Sequence, residues 1–137
     1  MRLLHLAFGL FIVVVFLLTG LYMHFHLHHM AGVPDALRLL YRTRHIFILL
    51  AGLLNLVLAA YLVARSGRSR RAFQWLGSIL IIIASLLFVA AFFYDSTRGD
   101  LRTPLSHWGV YAIAVGTLVH LLSSAGSGKT LVPANEE

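Results

Sequence analysis

At 137 residues the chain has the size of one domain, yet 59% hydrophobic against 12% charged residues, with mean hydropathy +0.84, leaves too little polar surface for a soluble globule. Cysteine is absent, which excludes disulfides, thiolate metal sites and cysteine nucleophiles. The net charge of +6 comes from arginines beside apolar runs, where basic residues set membrane topology and meet anionic lipid, so nucleic acid is excluded as a partner.

The first apolar run extends from Leu3 to about Met23, within a charge-free stretch that ends at Pro34. About 20 residues at a rise of about 1.5 Å cross a hydrocarbon core of about 30 Å, so this run predicts a membrane span. It exceeds the roughly 7–15-residue core of a secretory signal, and no small-x-small cleavage site follows it, which predicts a retained helix. Its end reads MHFHLHHM over residues 23–30, with four of the chain's eight histidines in six positions. At about 100° per residue, His24 and His28 share one helical face and His26 and His29 another. The run therefore offers a two-histidine half-site and cannot converge all four rings on one ion.

The connection AGVPDALRLLYRTR at 31–44 has Pro34 and Asp35 at a plausible helix start, where a carboxylate suits the positive end of the helix dipole. Leu37, Leu40 and Tyr41 fall on one face, and Arg38 and Arg42 pair at i, i+4 on another. That pattern predicts a short helix lying in the membrane interface. A second span follows from Ile46 to Ala64, with Asn55 in its interior. Past the RSGRSRR loop at 65–71, a third span runs from Phe73 to Tyr94. The turn-rich loop 96–104 leads to a fourth span from Leu105 to Leu122, with Pro104 suited to its first turn.

Small residues recur every seven positions in the last two spans, as Gly77, Ala84 and Ala91 and as Gly109, Gly116 and Ser123. Packing rather than the hydrophobic effect drives helix association in lipid, so these stripes predict close approach of helices three and four. Asn55, Thr19, Ser78, Ser85 and Thr117 read as hydrogen-bonding glue between helices. The GSGKT sequence at 126–130 imitates the end of a phosphate-binding loop. It lacks the glycine five positions before Gly128, where Ser123 stands, and it follows a membrane span instead of a strand. Nucleotide binding is excluded, and 126–137 reads as a flexible tail behind a four-helix domain at 1–125.

The fold class expected is thus an all-α integral membrane protein, a four-helix bundle with a short interfacial helix between its first two spans. Runs without strict alternation do not suit barrel strands. Four spans put both termini on one side, with Arg2, Arg65, Arg68, Arg70, Arg71 and Lys129; Arg38, Arg42, Arg44, Arg98 and Arg102 lie on the other. The tighter basic loop at 65–71 points to cytoplasmic termini in a cell or inner membrane.

Six histidines then face the non-cytoplasmic boundary, with His45 and His107 joining the first helix and Asp95 nearby. His24, His28, His45, His107 and Asp95 are the candidate ligands of a transition metal. Imidazole suits copper and zinc, and the thioethers of Met23 and Met30 favour Cu(I). Within the i, i+4 pair His24 and His28 are expected to point into the bundle. A haem b electron carrier is the alternative, with His45 opposite His107 and His5 opposite His120, two sites about 20 Å apart along the last helix. A third reading is a structural or assembly subunit without cofactor. No nucleophile–base pair, carboxylate pair or HExxH motif is present, so the expectation leans away from an enzyme. The bilayer and a larger membrane complex or homo-oligomer are the expected partners.

Overall fold

The computed structural model describes residues 1–62, 67–97 and 103–124. It is all-helical, with α1 Arg2–Phe25, a 3₁₀ turn His28–Met30, α2 Asp35–Tyr61, α3 Arg68–Thr97 and α4 Pro104–Ser124. All four long helices are apolar enough, and long enough, to cross a membrane, consistent with an integral membrane protein. Their outer faces carry exposed leucines, isoleucines, valines and phenylalanines along the whole length, from Leu3 and Leu10 to Leu118 and Leu122. Water would not tolerate such a perimeter, whereas lipid tails match it.

The helices run up, down, up and down. Side chains from the start of α1, the end of α2, the start of α3 and the end of α4 meet at one end of the bundle. The start of α2, the end of α3 and the start of α4 meet at the other. The first is called here the inner end and the second the outer end. Between them Ile12, Ile48, Ala51, Ala84, Phe88 and Phe92 form a buried core.

Helices α3 and α4 make the most extensive pairing, along the small-residue stripes the sequence predicts. Ala84, Ala91 and Ser123 are buried, and a Cβ on Gly77 would stand 2.7 Å from His120 Cδ2 and 2.9 Å from the carbonyl of Gly116. Only glycine lets these two backbones come that close. α1 and α2 use the same device without a regular stripe, since a Cβ on Gly9 would meet Leu56 at 2.8 Å.

The short interfacial helix is not supported. Residues 35–44 are helical but continue without a break into the second span. Nothing between Tyr41 and His45 interrupts a helix, and Tyr41 and Arg44 turn inward to be buried at 7% and 2% exposure. At the other side of the turn α1 ends at Phe25, before the histidine run is complete. Its chain then reverses through left-handed backbone at His28, Met30 and Gly32, with φ of +41°, +65° and +77°. The buried Met30 side chain holds this turn against the core cluster that contains Tyr41. The loop residues 98–102 and the GSGKT tail lie outside the described residues.

Candidate functional site

At the inner end, one imidazole lies at the centre of all four helices. His5, fully buried, has Nδ1 2.7 Å from Asn55 Oδ1 and Nε2 2.9 Å from Ser78 Oγ, and Ser78 Oγ is 3.2 Å from His120 Nε2. Asn55 Nδ2 donates to the Ala51 carbonyl at 2.8 Å and to Ser85 Oγ at 3.1 Å, and Ser85 Oγ donates to the Ile81 carbonyl at 2.8 Å. Because the Ala51 carbonyl can only accept, the Asn55 amide has one orientation, and its oxygen faces His5.

The protons follow from that orientation. His5 must donate from Nδ1 to Asn55, which leaves its Nε2 as an acceptor when the ring is neutral. Ser78 then donates to His5, so its lone pair receives the Nε2–H of His120. The result is a chain of donations running from α4 through α3 and α1 to α2 and back to α3. Every hydroxyl, amide and imidazole in it is given one role. Polar groups this deep are costly unless bonded, and bonds in such a chain polarise one another.

The outer end holds a charged cluster instead. Asp95 Oδ2 accepts from Ser106 N at 3.2 Å and from Ser106 Oγ at 3.1 Å, and Arg44 Nε lies 3.9 Å away. Arg44 Nε also donates to Ser106 Oγ at 3.3 Å, so the hydroxyl links guanidinium and carboxylate. The amide of Ser106 lies in the first turn of α4, where backbone N–H groups have no intrahelical acceptor. Asp95, reaching across from α3, supplies the missing acceptor and a negative charge at the positive end of α4. Its other oxygen, Oδ1, has no hydrogen-bond partner among the described residues although the residue is fully buried.

The predicted metal ligands are distributed rather than gathered. His24 and His28 are both exposed, and the end of α1 at Phe25 removes the helical relation between them. His26, the residue just past α1, is exposed and lies against Tyr22. His45 is half-buried against α1, stacked on Phe16 with ring centroids 4.0 Å apart and with Nδ1 3.0 Å from Thr19 Oγ1. Since Thr19 gives its own proton to the Phe16 carbonyl, His45 is the donor in that bond. His107 is exposed on α4 and donates Nδ1–H to the Thr103 carbonyl at 2.7 Å. Asp95 is engaged with Arg44 and Ser106, not with a histidine. Among the described residues no three His, Cys, Asp or Glu side chains form a group suited to a metal ion.

The haem pairing divides. His5 and His120 do meet, with ring centroids 6.3 Å apart, but Ser78 Oγ stands between their Nε2 atoms where an iron would have to lie. His45 and His107 do not meet; one faces α1 and the other the surface. Sequence reasoning placed Asn55, Ser78 and Ser85 only as separate packing contacts. The signal that links them is their common depth, since each helix carries a polar residue near its inner end. Comparisons with protein-family models, curated proteins and solved structures find no match for this chain.

Proposed function

We propose that this chain is a non-catalytic integral-membrane subunit, a rigid four-helix module with cytoplasmic termini that serves as a structural or assembly element of a larger membrane complex. The observation that carries this reading is the one-directional hydrogen-bond chain through His5, Asn55, Ser78, Ser85 and His120. It commits the deepest imidazoles to joining helices, and it fixes a single arrangement of the bundle.

A second reading, a copper or zinc site at the outer end, draws support from His107. Its Nδ1–H is held by a backbone carbonyl, the arrangement that orients many metal-binding imidazoles and leaves the Nε2 lone pair outward. His24 and His28 would supply further nitrogen once the 26–30 turn rearranges. Asp95 falls out of that ligand set, because the adjacent Arg44 already neutralises it and repels a cation.

One preparation separates the readings. Protein purified in mild detergent from crosslinked native membranes should carry a different polypeptide, hold substoichiometric Cu, Zn, Fe and Ni that titration at neutral pH does not restore, and show no Soret band. A stoichiometric metal replaces the structural reading with the metal one, and a Soret band replaces it with haem. The chain crosslinked to nothing but itself would sink the assembly role. Reporter fusions in the 65–71 loop and at the C-terminus should both read cytoplasmic; a non-cytoplasmic signal from both inverts the orientation.

A further inference from the structure

We propose that the inner end of the bundle binds one anionic phospholipid, its acyl chain in the crevice between α2 and α4 and its phosphate at Arg2 and Arg71. This goes beyond the assembly reading and does not depend on it.

The crevice has α3 as its floor and is walled by Leu54, Val57 and Leu58 of α2 and by Thr117 and Leu121 of α4, around a cavity of about 210 Å³. A second cavity, about 580 Å³, lies at its inner mouth and is lined by Arg2, Arg71 and Trp75. Leu62 and Gln74 line both, so the apolar slot and the basic mouth adjoin. One occupant that reaches both would be apolar along one part and anionic at the other.

Charge and depth point the same way. Arg2 donates from Nε to the carbonyl of Leu62, just past the end of α2, which ties one guanidinium to the rim of the mouth. Arg71 belongs to the opening turns of α3, where Arg68 and Arg70 also stand and the first turn holds no acidic residue. Cations at the positive end of a helix dipole are unfavourable, and an anion from outside the chain offsets that arrangement. Trp75 and Tyr61, 43% and 79% exposed, mark the headgroup level where amphipathic rings collect. Basic pockets between membrane helices on the cytoplasmic side are suited to anionic headgroups.

The test uses the full chain in a neutral detergent, with thermal unfolding and native mass spectrometry as readouts. Phosphatidylglycerol should raise the melting temperature and remain bound as a single lipid. Phosphatidylcholine with the same acyl chains, and inorganic phosphate alone, should do neither. Arg2→Gln with Arg71→Gln should weaken the phosphatidylglycerol titration roughly twentyfold or more, at about fivefold per arginine, while Arg38→Gln with Arg42→Gln at the outer end leaves it unchanged. Val57→Trp, which fills the slot from the lipid side, should reduce the same response without touching a charge. Equal stabilisation by phosphatidylcholine, full response in the Arg2/Arg71 variant, or a response to inorganic phosphate alone would each overturn the site as a phospholipid site.

Discussion

The two ends of the bundle solve the same problem with different chemistry. The inner cluster is built from neutral groups whose donor and acceptor roles follow from the orientation of the Asn55 amide. The outer cluster is charged, with a guanidinium and a carboxylate buried at 2% and 0% exposure. Buried charges need a partner to offset their desolvation, whereas buried neutral groups need only hydrogen bonds, so the two clusters meet different demands. The difference also bears on function, since a complete neutral chain resists a guest while the outer cluster leaves Asp95 Oδ1 without a bond among the described residues.

The comparison breaks first, and most strongly, at Asp95. Asp95→Ala leaves the buried Arg44 without its carboxylate and strips the acceptor from the first turn of α4, a loss of about 3–5 kcal/mol. Asp95→Asn keeps an acceptor for Ser106 and should cost less. Arg44→Met with Asp95→Leu removes both charges and should recover most of the loss, because the desolvation cost disappears with them. Unfolding in mixed micelles of mild detergent and dodecyl sulfate measures all three. An alanine variant as stable as the parent would show that the pair does not hold these helices.

The inner cluster should yield by smaller steps. Asn55→Leu removes three bonds and leaves His5 Nδ1–H without an acceptor, which should cost about 2 kcal/mol given about 0.6 for an average interhelical bond and about 1–3 for a buried orphan. His120→Phe removes the donation to Ser78 that starts the chain and keeps the His5–Asn55 bond, and should cost less. Joining the two changes should cost less than their sum if the chain acts as a unit, and strict additivity in the same unfolding assay would refute that. Gly116→Ala tests the packing beneath it. The new methyl would stand 2.9 Å from Ile81 Cγ1 and 3.0 Å from the Gly77 carbonyl, and forced overpacking of this kind costs about 1–3 kcal/mol.

How much of this was legible before the structure depends on range. Charge-free length reads directly as four spans, and the glycine and alanine stripes read directly as the α3–α4 seam. The start of α2 at Asp35 was legible too, but its continuity was not, because burial of Tyr41 and Arg44 depends on Phe92 and Asp95, some fifty residues on. The end of α1 has no local cause. No glycine or proline stands between Phe25 and Gly32, and the reversal that follows places Met30 in the core. The histidines mislead for the same reason. Crowding marks residues 24–29, whereas the two most buried rings among the described histidines, His5 and His120, stand alone in sequence and acquire meaning only when four helices bring them together.

The smallest effect expected is at His28, and it connects the outer end's backbone with its chemistry. This residue is exposed and held at φ +41°, in the left-handed region that costs an L-residue about 1–2 kcal/mol. Glycine adopts that conformation freely but gives up about 0.5–1 kcal/mol through the greater freedom of its unfolded chain. The balance predicts that His28→Gly leaves the fold intact and stabilises it by up to about 1 kcal/mol. Asn, which also tolerates this region, should fall between the two. If His28 serves only the turn, both variants keep the parent's metal content and partner. If it is a ligand, both lose bound copper or zinc while gaining stability, and that opposite movement of two measurements on one protein would be hard to produce any other way.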